Sequence, residues 1–206
     1  AKDQSYVVHM LDQAQLARTM FPVGGMQKSD LRELAASIDL RTATKPDSQD
    51  VCFITSTGGR TSFLGDRIPL RAGTVVDTDG NELGRVESVE LVTVGQRKGI
   101  GLPGGGPKRY VLDVDTDAAT VTVGSDVDLL RHDLVIDQMS WIDRPVDGEV
   151  LVQCSAHGRA LPASVSIEGD VVGVRWSTPQ RRIAPGQSVV LYDPSNPRVL
   201  GGGICR

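Results

Sequence analysis

The chain has 206 residues, 39% of them hydrophobic and 23% charged, with a formal net charge of −4. Those proportions suit a soluble globular chain of one large or two to three small domains, and no apolar run approaches a membrane span. The acidic balance argues against bulk electrostatic attraction to nucleic acid but leaves room for local basic clusters.

The first 64 residues carry helical periodicity. Tyr6, Val7, Met10 and Leu11 fit one helical face, and Leu31, Leu34, Ala35 and Ile38 fit another. Ser29 is the expected N-cap of the second helix, with Asp30 and Glu33 in its first turn. FPVGG, residues 21–25, reads as a connection. The chain begins at Ala1 rather than Met, which suggests a piece of something longer.

After residue 65 the pattern changes to strands. GTVVDTDGNELG carries a turn dipeptide at Asp79-Gly80. RYVLDVD and ATVTVG alternate with period two and read as a hairpin joined near residues 116–118. Further strands are expected over residues 134–142, 150–155, 164–168, 171–176, 188–192 and 199–204, with a tight turn at Glu168-Gly169-Asp170. Their spacing is that of a sandwich or barrel. A boundary is expected near Leu130, where Arg131-His132-Asp133 opens the last β set.

Most motifs have a plain structural explanation. Residues 99–104 match G-x-G-x-x-G by letter, but Gly105, Gly106, Pro107 and then a strand follow. A dinucleotide fingerprint needs a helix there, so the stretch reads as a flexible loop. Asp77-x-Asp79-Gly80 resembles part of a calcium loop whose other ligands are missing. Arg97-Lys98, set between glycines, suits phosphate contacts, although on the residues alone a solvated turn is the favoured reading. Arg181-Arg182, with Arg175 nearby, reads as a solvated basic face. His9, His132 and His157 form no ligand spacing.

Three cysteines at wide spacing are neither a disulfide framework nor a zinc pattern, and a reducing cytoplasm is their simplest setting. Cys154 alternates with Val150 and Val152 and reads as core, and Cys205 reads as inert. Cys52, in DSQDVCFI, is less plain. A lone cysteine at a strand edge is usually packing. Ser48 and Gln49 offer hydrogen bonds and Lys45 favours a thiolate, while Asp47 and Asp50 oppose one.

Five stretches in order resemble one family. KDQSY (2–6), MFPVG (20–24), DSQDVCFI (47–54), VGQRKGIGL (94–102) and PGQSVVLYD with VLGGGI (185–193 and 199–204) are similar to the bacterial tRNA-specific 2-thiouridylase (MnmA/TrmU) family, over essentially the whole chain. The resemblance implies the C-terminal portion of such an enzyme and a mostly β, α+β fold. Residues 1–64 would be the helical end of an α/β ATP-pyrophosphatase domain, 65–130 a small central β domain, and 131–206 a C-terminal β-barrel.

The resemblance also implies a chemistry. The family adenylates the C2 oxygen of the wobble uridine with ATP and magnesium, held by an N-terminal S-G-G-x-D-S loop that is absent from this sequence. No cofactor is therefore expected on these residues. Cys52 takes the position of a persulfide carrier, loaded by a sulfur-relay or cysteine desulfurase donor protein. A first catalytic cysteine, also absent here, would form a disulfide with Cys52 as sulfur is released. Lys2, Asp3, Gln4 and Gln187 match family tRNA contacts. His157 and Gly158 fall where the family often has Arg-Tyr, a departure that shifts weight to Arg159. Arg97 and Lys98 match a motif near the tRNA path. The implied setting is cytoplasmic, with tRNA as partner, no membrane and no metal site. The chain alone is expected to be inactive, with the loop around Cys52 mobile. The rival reading is a non-catalytic tRNA-binding module with a structural Cys52.

Overall fold

A computed structural model of the chain describes residues 5–45, 59–104, 106–196 and 198–206. Two β units dominate. A four-stranded sheet has the order β2-β1-β4-β3, built from β1 (Gly73–Val76), β2 (Glu82–Val86), β3 (Tyr110–Asp115) and β4 (Thr120–Gly124). A closed barrel follows in the order β10-β5-β8-β7-β6-β9, from β5 (Leu130–Trp141), β6 (Gly148–Gln153), β7 (Leu161–Glu168), β8 (Val171–Arg181), β9 (Ser188–Tyr192) and β10 (Val199–Cys205). The mostly β character expected from period-two alternation is what the chain adopts.

In the small sheet, β1 pairs antiparallel with β2 and parallel with β4. Val75, Val86, Val89, Ile100, Val111, Val121 and Val123 form its core. The β1–β2 turn is closed by Asp77, whose carboxylate accepts from the backbone N–H of Asp79 and Asn81 and from the Asn81 side chain. These bonds, from Asn81 above all, hold the Asp77 carboxyl below its ordinary range. The fragmentary calcium motif is thus a turn whose key oxygens are already committed.

Every barrel strand pairs antiparallel on both sides, so the barrel has no open edge. Its interior takes Ile136, Val150, Val152, Val165, Val172, Val174, Val189 and Leu191. Strand β9 is buried on both faces. Val189 and Leu191 point inward, while Val190 and Tyr192 pack outward against Tyr6. The Tyr6 hydroxyl donates to the Ser188 carbonyl at 2.8 Å. His9, also buried, donates its Nδ1–H to the Tyr6 carbonyl at 2.8 Å and lies over Gly202 of β10.

The N-terminal segment departs from the expected helical faces. Residues Ser5–Val8 form one 3-10 turn, and α1 is only Gln13–Leu16. Tyr6 is buried, yet Val7 and Met10 are 58% and 66% exposed, because a single aromatic anchor on β9 replaces an amphipathic stripe. Helix α2 (Lys28–Ser37) forms where the period indicated, but Gln27 and not Ser29 is its N-cap. The Ser29 hydroxyl instead donates to Asp30 at 2.9 Å. No residue of α2 is buried, and Leu34 and Ile38 are exposed. A short α3 (Arg60–Gly65) precedes the sheet.

The stretch after residue 95 has no helix, as its glycines and prolines indicate, yet it packs. Ile100 is 4% exposed, and Gly101 sits at φ +68° with its Cα against β2. A Cβ there would stand 1.7 Å from the Arg85 carbonyl oxygen. Gly101→Ala combines a left-handed backbone with a backbone clash, and is expected to cost at least about 2 kcal/mol. Gly104→Ala meets open space and should leave the melting temperature unchanged, so thermal denaturation of the pair tests the packing of this loop.

Glu90 ties the sheet together by accepting from the Arg71 backbone N–H at 2.9 Å and the Ser88 hydroxyl at 2.8 Å. The Arg71 N–H above all holds its carboxyl at about 2, below the ordinary 4.5. A depressed carboxyl stabilises the fold above its unfolded value, and that contribution disappears as pH falls toward 2. Glu90→Gln should therefore flatten the acid side of the stability profile between pH 5 and 2 of the 206-residue chain. Denaturant titrations across that range would measure it.

Candidate nucleic-acid interface

The residues singled out by sequence fall in three places. Lys2, Asp3, Gln4 and Cys52, with the loop around it, lie outside the described residues. Immediately after the first three, Ser5 and Tyr6 dock on the outer wall of the barrel, with Ser5 Oγ 3.3 Å from the Tyr192 hydroxyl. Gln187 is the residue before Ser188, so the Tyr6 anchor sets Ser5 and Tyr6 beside the P-G-Q turn. That turn is fixed by its backbone: Gly186 N–H donates to Cys205 O, and Cys205 N–H donates to Gln187 O at 2.8 Å.

His157 and Gly158 occupy the exposed turn after β6, closed by Gly158 N–H donating to Ser155 O at 3.0 Å. Gly158 is tight, because a Cβ would stand 2.6 Å from Ser155 Oγ. With Arg159, Cys154, Trp176, Gln180 and Arg181 it lines a cavity of about 270 Å³. An adjoining cavity of about 250 Å³ shares Trp176, Arg181 and Ile183 and reaches Cys205 and Arg206. Since Gln153 pairs with Val190 and Cys205 N–H donates to Gln187 O, the turn after β6 and the turn before β9 lie at the same end of the barrel.

Arg97 and Lys98 stand elsewhere, on the small sheet. The loop that carries them is held by Gly95 N–H donating to Val111 O, Val111 N–H donating to Gln96 O, and the Gln96 side chain bridging Thr93 N–H and Lys98 O. They line a cavity of about 650 Å³ together with Lys108 and Arg109. Sequence reading missed the latter two, which lie ten residues on and join the site only when the glycine loop folds back.

Arg175 and Arg181 are exposed, as a solvated face requires, while Arg182 is half-buried, and all three are paired. Arg181 pairs with Asp126 and lies 5.2 Å over the Tyr110 ring. Arg182 donates to the Leu112 carbonyl at 2.7 Å and pairs with Asp113 at 3.0 Å. Both arginines join the barrel to the small sheet. Their acceptors lie 55 and 70 residues upstream, beyond any local pattern.

Cys154 and Cys205 are free thiols packed with the barrel core, as expected of structural cysteines. Burial pushes the Cys154 thiol up to about 12 and the Cys205 thiol above its usual range. Among the described residues no group of three His, Cys, Asp or Glu side chains can hold a metal, and no helix is long and apolar enough to cross a membrane.

Comparison with known proteins matches three consecutive family models: the tRNA methyl transferase HUP domain over residues 1–56, the tRNA methyl transferase PRC-barrel domain over 61–125, and the Aminomethyltransferase beta-barrel domain over 131–205. The class is thus a HUP-domain end followed by a small β unit and a β-barrel. The chain belongs to the tRNA-specific 2-thiouridylase family and corresponds to its C-terminal portion. It is 43% identical to the tRNA-specific 2-thiouridylase MnmA of Corynebacterium kroppenstedtii, over 99% of this chain and 57% of that protein. It is 44% identical to that of Mycobacteroides abscessus, over 98% and 59%, and 42% identical to that of Roseiflexus castenholzii, over 98% and 55%. The chain therefore spans somewhat over half the length of these curated relatives.

Burial raises both barrel thiols, so native Cys154 and Cys205 should react slowly with iodoacetamide at pH 8 and label at least tenfold faster in guanidinium. A raised thiol favours the fold at neutral pH, and that contribution is lost as pH climbs past the unfolded value near 9 toward 12. Peptide mapping of the alkylated chain reads both cysteines separately.

Proposed function

We propose that this chain is part of a tRNA sulfurtransferase that makes 2-thiouridine at the wobble position. The observation that carries the reading is the ordered match of all three family models along one chain, together with relatives named tRNA-specific 2-thiouridylase at more than 40% identity. A larger enzyme is also supported by the N-terminal segment. Val7, Met10, Met20, Phe21, Leu34 and Ile38 are all exposed there, more apolar surface than an isolated domain usually presents.

In this reading ATP adenylates the uridine C2 oxygen in a region outside these 206 residues, which contain no S-G-G-x-D-S loop. Cys52 carries a persulfide received from a donor protein. Its terminal sulfur attacks C2, the C2–oxygen bond breaks, and AMP leaves with that oxygen. A second cysteine thiolate then attacks the Cys52 sulfur, breaks the S–S bond and releases 2-thiouridine. The resulting disulfide is reset by an external thiol reductant. Adenylation is what makes the oxygen a competent leaving group, and the persulfide is the nucleophile. An unpaired wobble base can be extruded to meet it. The barrel surface joining the Gly158 and Gln187 turns, with the segment from Lys2, would hold the tRNA, and the setting is cytoplasmic.

The reading makes a direct prediction. The chain joined to the family's N-terminal catalytic region should thiolate tRNA when supplied with ATP and a persulfide donor. Cys52→Ser should abolish 2-thiouridine, measured by mass spectrometry of digested tRNA, while tRNA binding persists. Undiminished product would return Cys52 to a structural role, as in a tRNA-binding module. The 206-residue chain alone should yield no 2-thiouridine with ATP, and product from it would refute the inactivity assigned to it.

A further inference from the structure

Among the described residues, one cluster of cations on the small sheet stands apart from the paired arginines. Arg71, Arg85, Arg175, Arg181, Arg182, Arg198 and Arg206 each pair with a carboxylate. Among the described residues Arg97, Lys98 and Lys108 make no ion pair, and all three are exposed around one cavity of about 650 Å³ on the small sheet. Arg109, half-buried on the same wall, faces Asp77. In a chain of net charge −4, Arg97, Lys98 and Lys108 thus gather as a positive site.

Its walls are suited to close approach. Gly99, Gly101, Gly104 and Gly106 contribute backbone without side chains, so a ligand can reach main-chain N–H groups. Gly104 and Gly106 have open space where a Cβ would stand, so packing within the chain does not require glycine there. Leu83, Leu102 and Pro103 add an apolar floor. The rim is also rigid. Gly101 is locked on β2, Ile100 is buried, and the Gln96 side chain bridges the loop from Thr93 to Lys98.

We propose that this cavity is a second tRNA contact, which holds a sugar-phosphate segment with consecutive phosphates on Arg97, Lys98 and Lys108 and the ribose against the apolar floor. The proposal rests on the tRNA reading above and adds to it a site on the small sheet, apart from the Gly158 and Gln187 turns of the barrel. Cations beside glycine main-chain N–H groups fit phosphates, whose oxygens can accept from both kinds of donor. The contact is independent of base sequence, since phosphates and sugar carry none.

The test is the salt dependence of tRNA binding to the 206-residue chain, by fluorescence anisotropy, for the unmodified protein and an R97Q/K98Q/K108Q variant. Each lost phosphate contact should flatten the slope of log K against log salt by roughly 0.7 to 0.9. The variant should therefore lose about 2 to 3 from the slope with an unchanged melting temperature. A benzophenone amino acid at Gly104, where a side chain has room, should cross-link to bound tRNA and gives an answer even if the triple variant unfolds. Tight binding with an unchanged slope and no cross-link overturns this site while the tRNA reading stands. No tRNA binding by the unmodified chain overturns both. Equilibrium dialysis with ATP separates the other source of phosphate: ATP binding lost in the variant, with the tRNA slope unchanged, assigns the cavity to a free nucleotide and overturns the proposal.

Discussion

Closure of the barrel through β9 and β10 is the constraint on which the rest of the chain depends. A six-stranded sheet of alternating strands leaves two edges unless its ends meet, and here β10 pairs with both β5 and β9. The close approach is made by Gly201, Gly202 and Gly203, whose Cβ atoms would stand within 3 Å of Ser140 O, His9 and Asp137 O. Side chains on this run would hold its neighbours apart. Because β9 is then buried on both faces, its outer side must be covered, and Tyr6 covers it. The barrel thereby fixes where the N-terminal segment starts its course across the surface.

The same geometry organises the candidate interface. The Tyr6 hydroxyl on Ser188 brings Ser5 and Tyr6 to the P-G-Q turn, although 182 residues separate Tyr6 from Ser188. Arg181 and Arg182, at the end of β8, reach across to Asp126, Tyr110 and Leu112 and join the small sheet to the barrel. Remote parts of the sequence are thus held together by two anchors, one aromatic and one made of paired charges.

Much of this was legible in the sequence where the signal was local. The strands announced themselves by alternation, since each has a wet face and a dry one, and β9 spans the residues 188–192 that its pattern marked. The bounds of β5 and β8 run several residues beyond the alternating core, because their ends are held by pairing rather than burial, as in Leu130 with Arg181. Helical period misled at Tyr6, Val7, Met10 and Leu11, because one anchor residue decided that segment and three apolar neighbours were left in solvent or at its margin. Ser29 looked like a cap by composition, but its hydroxyl found Asp30 first. Lys108 and Arg109 were invisible as partners of Arg97 and Lys98, because a turn of glycine and proline, with no periodicity of its own, brings them together. Family resemblance, and not residue physics, carried the roles of Cys52, Lys2, Asp3 and Gln4.

The pairing of arginines has a kinetic consequence as well. A guanidinium beside a carboxylate is nearly a dipole, and its field fades faster with distance than that of a lone cation. At physiological ionic strength even unpaired charges are screened beyond about 8 Å. An approaching polyanion is therefore neither drawn in from afar by this acidic chain nor strongly repelled by it. What it meets in the last few ångströms is a surface on which several arginines are neutralised in pairs, while the hollow on the small sheet stays positive. Orientation is then decided late in the encounter, by the position of that hollow and not by net charge, and association should be ordinary in rate but selective in pose.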